Sequence, residues 1–371
     1  MSRPTKLTIF QDNLQTNLEV LKNFSNQAKI WACVKAGGYG HGIDCVAKGF
    51  SAADGLAILE IGEAYEARRA GWRKPILLLE GVFEMQELDE VVRLDLEMVI
   101  HSEQQLSWCL DYPGLFSGIW IKINSGMNRL GFTCENKRNV FQSKLTKKIF
   151  QLRKKISGND EIRWLTHFSV GENEKVCSVQ EENFLRMIMD LGYRERELLS
   201  FSNSSAIVCN PKFSKHWVRP GILIYGASPT KSLSPKVKTF LERLSICQSL
   251  TTRIVSIQHV RAGGYVGYGR SFRALNDMRI GVAAVGYADG YPRSASEKTV
   301  VLVEGVRCNL VGVVSMDLIT IDLSNAPNAN IGSNVECWGK NLSIMELAET
   351  SNRLCYELFT GVTARVRRSL C

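Results

Sequence analysis

Residues Trp31 to Cys45 read WACVKAGGYGHGIDC, an apolar run that stops on a lysine and passes straight into four glycines, a tyrosine and a histidine. A glycine-rich turn after a strand cradles phosphate, whereas a lysine amine at the last strand position can form a Schiff base with an aldehyde. Comparable polar groups border other apolar runs. Lys35 ends the first run, Arg129 follows the fifth, His167 ends the sixth, Ser204 lies just after the seventh, and Arg219 precedes the eighth, which Gly221 and Ile222 open. In a parallel barrel these groups share one rim, because all the loops that follow strands face the same mouth.

The runs themselves are KIWACV, GLAILE, PILLLE, LEMVIHS, IWIKIN, IRWLTHF, LLSFSN and GILIYG, with amphipathic stretches such as MQELDEVVRL and EENFLRMIMDLG between them. Strands alternating with helices in this way predict an α/β fold, an N-terminal (β/α)8 TIM-type barrel. After Tyr225, GASPTKSLSPKVK reads as a polar linker, and RIVSIQHV, RIGVAAVGYADG, KTVVLVEGVRCNLVGVVS, LITIDL and NVECWG then predict a mainly β domain. The expected division is residues 1–232 for the barrel and 233–371 for the β domain.

The chain has 371 residues, 45% hydrophobic and 22% charged, as expected of an ordinary globular protein of about two domains. Its first residues lack the apolar core and small-residue cleavage site of a signal peptide, and no apolar run reaches membrane-spanning length, so a cytoplasmic protein without membrane partners is expected. Eleven cysteines without a C-x-x-C pair predict free, buried thiols and no metal site. The net charge of +9 is concentrated in KLTKKIFQLRKKI, where Leu145, Ile149, Leu152 and Ile156 recur at helical spacing opposite the lysines. That is a solvated helix face, and no nucleic-acid partner is expected.

A dinucleotide-binding turn is the rival reading of the opening stretch, since it follows a strand, precedes the helical IDCVAKGF, and has Glu60 about twenty residues on. Gly38, Gly40 and Ile43, however, give G-x-G-x-x-I, without the third small residue that permits close helix packing. Nor does that fold use a lysine directly before the loop.

VKAGGYGHG resembles the lysine motif of the alanine racemases, pyridoxal phosphate (PLP) enzymes built from a barrel and a β domain, whose usual form is V-K-A-N-A-Y-G-H-G. KINSGMNRLGF, THF, SNSSA and VRPGILIYG are similar to further motifs of that family, and GYVGYGRSF, VGYADGYPR, VSMDLITIDL and YELFTGVTARVRR follow in the family's order. The resemblance therefore covers nearly the whole chain, from Val34 to Arg368.

It implies interconversion of L- and D-alanine, supplying D-alanine for peptidoglycan, with PLP bound through Lys35. By the same resemblance the cofactor phosphate falls to the hydroxyls of Tyr39, Ser204 and Tyr356 and the N–H groups of Gly221 and Ile222. His167 and Asn203 are further cofactor contacts. Arg219 stands at the pyridine nitrogen, where PLP enzymes commonly place a carboxylate. An arginine does not practically lose its proton, so the nitrogen stays largely unprotonated and the cofactor is a weaker electron sink. Racemisation needs one base on each face of a planar carbon. Lys35 matches one and Tyr268 the other, its phenol helped by His167 and more remotely by Arg219. Arg129 and Met316 match substrate contacts, and Lys122 matches a lysine carbamylated in some relatives. Because Tyr268 and Met316 lie in the second domain, the resemblance implies a head-to-tail homodimer with shared sites.

Three stretches depart from the family pattern. Gly37 and Gly38 replace Asn-Ala, which predicts a looser loop through extra backbone freedom. Ser200 stands where a histidine usually bonds the pyridine-facing arginine, and SVGENEKV after THF replaces an alanine- and aspartate-containing sequence. The rival functions are a broader small amino-acid racemase, acting for example on serine, and a non-catalytic PLP-binding barrel, which would lack the domain bearing Tyr268. A basic amino-acid decarboxylase of the same fold would carry a cysteine and a different carboxylate pairing at the cofactor.

Overall fold

The computed structural model describes residues 3–371 apart from 26, 134–139, 159–160 and 231–233. Strand β1 (Lys6–Ile9) and the helix Gln11–Lys22 lead into eight parallel strands that close into a barrel. These are β2 (Lys29–Cys33), β3 (Gly55–Ile58), β4 (Ile76–Leu78), β5 (Glu97–Ile100), β6 (Gly118–Lys122), β7 (Arg163–Leu165), β8 (Leu199–Asn203) and β9 (Trp217–Arg219). Trp31, Trp120 and Trp217 fill the interior near the strand starts, with Trp31 stacked on Trp217 at 4.3 Å and Trp120 edge-on to both. The Trp120 indole donates to Glu97 at 2.7 Å, and Glu97 pairs with Arg163. Large side chains and a satisfied ion pair thus pack that end of the barrel, and the strand ends carrying polar groups face the other.

The eighth strand differs from expectation. It is Trp217–Arg219, and residues Ile222–Tyr225 of GILIYG form a 3-10 turn instead. Pro220 has no N–H to continue the ladder. Arg219 therefore ends the eighth strand, and Gly221 and Ile222 follow it.

The second domain contains β10 (Gln248–Val260), β11 (Tyr265–Val266), β12 (Phe272–Arg273), β13 (Met278–Ala283), β14 (Val300–Val303), β15 (Val306–Asn309), β16 (Ile319–Asp322), β17 (Asn334–Trp338) and β18 (Arg367–Leu370). Its main sheet runs β15-β14-β17-β10-β1-β18, with β13 joining β10 to β16. Residues 6–9 belong to this sheet, antiparallel to β10 and parallel to β18, whereas the sequence grouped them with the barrel. The reason is topological: the barrel is closed by other strands and leaves no edge for β1, while β10 and β18 offer one on each side. The boundary expected at 232/233 lies outside the described residues. Within the expected linker, Ser234 caps a helix at Pro235–Leu241 by accepting from Val237 N–H, with proline in its first turn.

Candidate active site

The loop after β2 is a run of left-handed backbone, with φ of 55° at Ala36, 62° at Gly37, 65° at Gly38, 51° at Tyr39 and 79° at Gly40. A side-chain-bearing residue pays roughly 1–2 kcal/mol for this conformation, and glycine pays none of that steric cost. Gly37 and Gly38 thus take up this left-handed backbone without that steric cost. Gly37 N–H donates to Glu63 Oε1 at 2.9 Å, and buried His41 sits with Nδ1 3.0 Å from both Gly38 O and Tyr39 O. Burial pushes His41 down to about 4, so the ring is neutral and its Nδ1–H donates. At Gly40 a Cβ would lie 2.2 Å from the Phe359 carbonyl oxygen, so the turn is also wedged against the second domain.

This turn directs Tyr39 back toward the barrel axis, stacked on Tyr225 at 4.9 Å and 5.8 Å from Tyr356. A Cβ on Gly221 would come within 2.5 Å of the Tyr39 hydroxyl, and Gly221 N–H donates to Ser204 Oγ at 2.8 Å. Three hydroxyls and a backbone donor therefore converge where β8 and β9 end. Burial holds both the Tyr39 and Tyr356 phenols well above their ordinary range, which keeps their protons available for donation. Ile222 adjoins Gly221, but its side chain is fully buried and does not line the cavity.

The cavity enclosed there has a volume of about 490 Å³ and is lined by Lys35, Tyr39, Lys122, Arg129, His167, Asn203, Ser204, Arg219, Gly221 and Tyr356. Glu80 is the single carboxylate among its described lining residues, against four cationic side chains. Buried Arg219 donates to Ser200 Oγ, to Thr166 O and, at 3.2 Å, to Phe201 O, all neutral acceptors. Burial lowers it only to about 10, so it stays charged. Ser200 in turn donates to Trp217 O at 2.8 Å, so a hydroxyl does the holding where the resemblance expects histidine. Asn203 caps the helix Ser204–Cys209 through Oδ1, and its Nδ2 lies 3.3 Å from His167 Nε2. Burial, then Arg219, Arg129, Lys122 and Lys35, hold His167 well below the usual imidazole range. Burial and the charges of Arg219 and Arg129 bring Lys122 down to about 8.

Two expected residues are elsewhere. Tyr268, in the turn between β11 and β12, is 74% exposed, and Met316, in the turn before β16, is 52% exposed. Neither lines the cavity of its own chain.

Family models place this architecture. The alanine racemase N-terminal domain matches residues 9–229, and the alanine racemase C-terminal domain matches residues 247–370. The chain belongs to the alanine racemase family. The alanine racemase of Paraburkholderia phytofirmans is 40% identical over 368 residues, covering 99% of each chain. The crystal structure of the biosynthetic alanine racemase of Pseudomonas aeruginosa superposes with a TM-score of 0.88 at 36% identity, covering 100% of this chain and 99% of the other. The Bartonella henselae alanine racemase, solved with covalently bound pyridoxal phosphate, has a TM-score of 0.85 at 24% identity over 99% of each chain.

Set within the alanine racemase fold, Glu80 lines the cavity and Glu63 holds the lysine turn, and the sequence reading passed over both. Glu80 ends PILLLE, so the strand-end criterion that found Lys35 also finds it. Glu63 carries no local signal, and Thr166 enters only as part of the THF motif. Glu63 is a helix-capping residue whose carboxylate happens to face Gly37, and Thr166 acts through its carbonyl.

Proposed function

We propose that the chain interconverts L- and D-alanine with PLP held at Lys35, as a cytoplasmic homodimer whose sites each draw on two copies. The observation that carries this reading is the division of groups. The barrel cavity collects an amine, phosphate donors and four cations, while the candidate for a second base is exposed on the other domain. A dianionic phosphate and a carboxylate fit so positive a cavity. Tyr39, Ser204, Tyr356 and the N–H groups of Gly221 and Ile222 would hold the phosphate, and Arg219 would donate to the ring nitrogen. When bound, PLP withdraws electrons from the α-carbon of an attached amino acid, which makes the α-proton removable.

The protein's own work is then proton transfer and orientation. Lys35 Nζ takes or returns the α-proton on one face, and the Tyr268 hydroxyl of the second copy does so on the opposite face. Neutral His167 accepts from Asn203 Nδ2 through Nε2, so its Nδ1–H is the donor left for that phenol. Arg129 and the second copy's Met316 N–H orient the substrate carboxylate through charge-assisted bonds. Lys122, lowered to about 8 by burial and then by Arg219 and Arg129, has a neutral fraction able to take up carbon dioxide as a carbamate with release of a proton. D-alanine so made serves peptidoglycan. The ten described cysteines are all free thiols, in keeping with a reducing compartment, and no described helix is long and apolar enough to cross a membrane.

The test is racemisation by the purified, PLP-loaded protein across L-amino acids, with borohydride reduction and peptide mapping. Alanine is expected to be turned over fastest, with the pyridoxyl label on Lys35. A label on another lysine, or faster turnover of serine, would overturn the respective part.

A further inference from the structure

Met316 occupies a tight turn closed by Ser315 N–H donating to Leu318 O at 2.9 Å, and its own N–H meets no acceptor among the described residues. A free, half-exposed donor is useful only if something holds its direction. The Ser315 and Met316 carbonyls accept from Tyr287 N–H at 3.1 Å and Ala288 N–H at 3.0 Å. These two segments are so close that a Cβ on Gly286 would lie 2.4 Å from both oxygens. These two bonds hold the turn against the Tyr287–Ala288 segment through its carbonyls.

A second hold on the turn comes by way of Asp289. Its carboxylate, 1% exposed, accepts from Gly286 N–H at 2.9 Å, from Arg365 Nε at 2.7 Å and from Arg3 Nη2 at 3.2 Å. The same two guanidiniums reach the residue after Met316: Arg365 Nη2 lies 2.8 Å from Asp317 Oδ1, and Arg3 Nη2 donates to Asp317 O at 2.8 Å. Arginines from opposite ends of the chain thus bridge a buried carboxylate to the turn that presents the donor. Charge-assisted, forked contacts of this kind set direction as well as energy.

We propose that Asp289, acting through Arg365 and Arg3, is a positioning residue for substrate binding that aims the Met316 N–H at the substrate carboxylate. This rests on the assignment of Met316 given above. Losing an aimed donor to a charged group removes binding common to the ground and transition states, so it raises KM and spares kcat.

The experiment compares Asp289→Asn, Asp317→Asn and Met316→Pro in the PLP-loaded enzyme, reading KM and kcat for L-alanine and inhibition by ethylamine, which lacks the carboxylate. Asp289→Asn is expected to raise KM roughly tenfold, the worth of one hydrogen bond to a charged group, with kcat, PLP content and ethylamine inhibition unchanged. Asp317→Asn, which leaves the buried carboxylate intact, guards against misfolding of the first variant and should raise KM in the same direction by less. If Met316→Pro raises KM but neither aspartate variant does, or if ethylamine inhibition weakens in step with KM, the positioning role is overturned. If Met316→Pro itself leaves KM unchanged, it is the assignment of Met316 that fails.

Discussion

The barrel mouth and the outer edge of the β domain carry the same kinds of group, phenols, guanidiniums and backbone donors, in opposite conditions. At the mouth, Tyr39 is buried and stacked, and Arg219 is held by three hydrogen bonds from its guanidinium, to a hydroxyl and two carbonyls. At the edge, Tyr268 and Met316 are exposed on turns, and the Met316 turn is held through its backbone carbonyls. Burial raises a phenol's pKa and keeps its proton in place, which suits Tyr39 and Tyr356 as donors and disqualifies them as bases. A phenol that must lose its proton needs positive or hydrogen-bonding neighbours, and the mouth gathers four cationic side chains and His167 in one cavity. The two groups of residues lie apart within a single chain, and the proposed dimer is what would bring them together.

The sharpest way to break this comparison is to disable each half separately. Lys35→Ala should abolish racemisation, and Tyr268→Phe should lose it too, yet mixing the two chains under conditions of subunit exchange should restore part of the activity. No recovery despite exchange measured by mass spectrometry would mean that the halves do not meet across a dimer.

Tyr268→Phe alone should lower racemisation roughly 100- to 10,000-fold, the usual cost of one positioned base, while PLP stays bound. Exchange of the α-proton of D-alanine with deuterated solvent should persist, since Lys35 remains, and exchange from L-alanine should fall sharply. Equal losses from both enantiomers, followed by NMR, would remove the two-base assignment.

Acid should act on the mouth. His41 is folded in its neutral form at about 4 against an ordinary 6.5, so the unfolded chain binds the extra proton first and stability falls as pH drops from 6.5 toward 4. The full effect is on the order of 3 kcal/mol. Urea denaturation at pH 7, 5.5 and 4 should show it, with a shallower pH slope in His41→Gln. The smallest effect separates two glycines of the lysine turn. Gly37→Ala has open space around its Cβ and should cost only the left-handed conformation, about 1 kcal/mol. Gly40→Ala should cost distinctly more and weaken PLP binding, because its Cβ would collide with Phe359 O. Equal thermal shifts for the two would refute the wedge.

The sequence by itself determined the barrel, the β domain and the residues at the mouth, because period, apolar runs and a polar group at each strand end are local properties. Seven of the eight expected barrel strands lie in their runs, and the amphipathic helix Val140–Arg153 buries Leu145, Ile149 and Leu152 as its spacing requires. What only the tertiary structure decided involves partners distant in the chain. β1 joins β10 and β18 because the barrel is closed, Arg219 ends rather than precedes the eighth strand because Pro220 stops the ladder, and Ser200 can stand in for a histidine because β8 and β9 are neighbours. Gly37 and Gly38 looked like added freedom in the sequence. In the fold they are the residues that occupy a left-handed turn without steric cost, since backbone dihedral angles depend on where the chain must go next and not on composition.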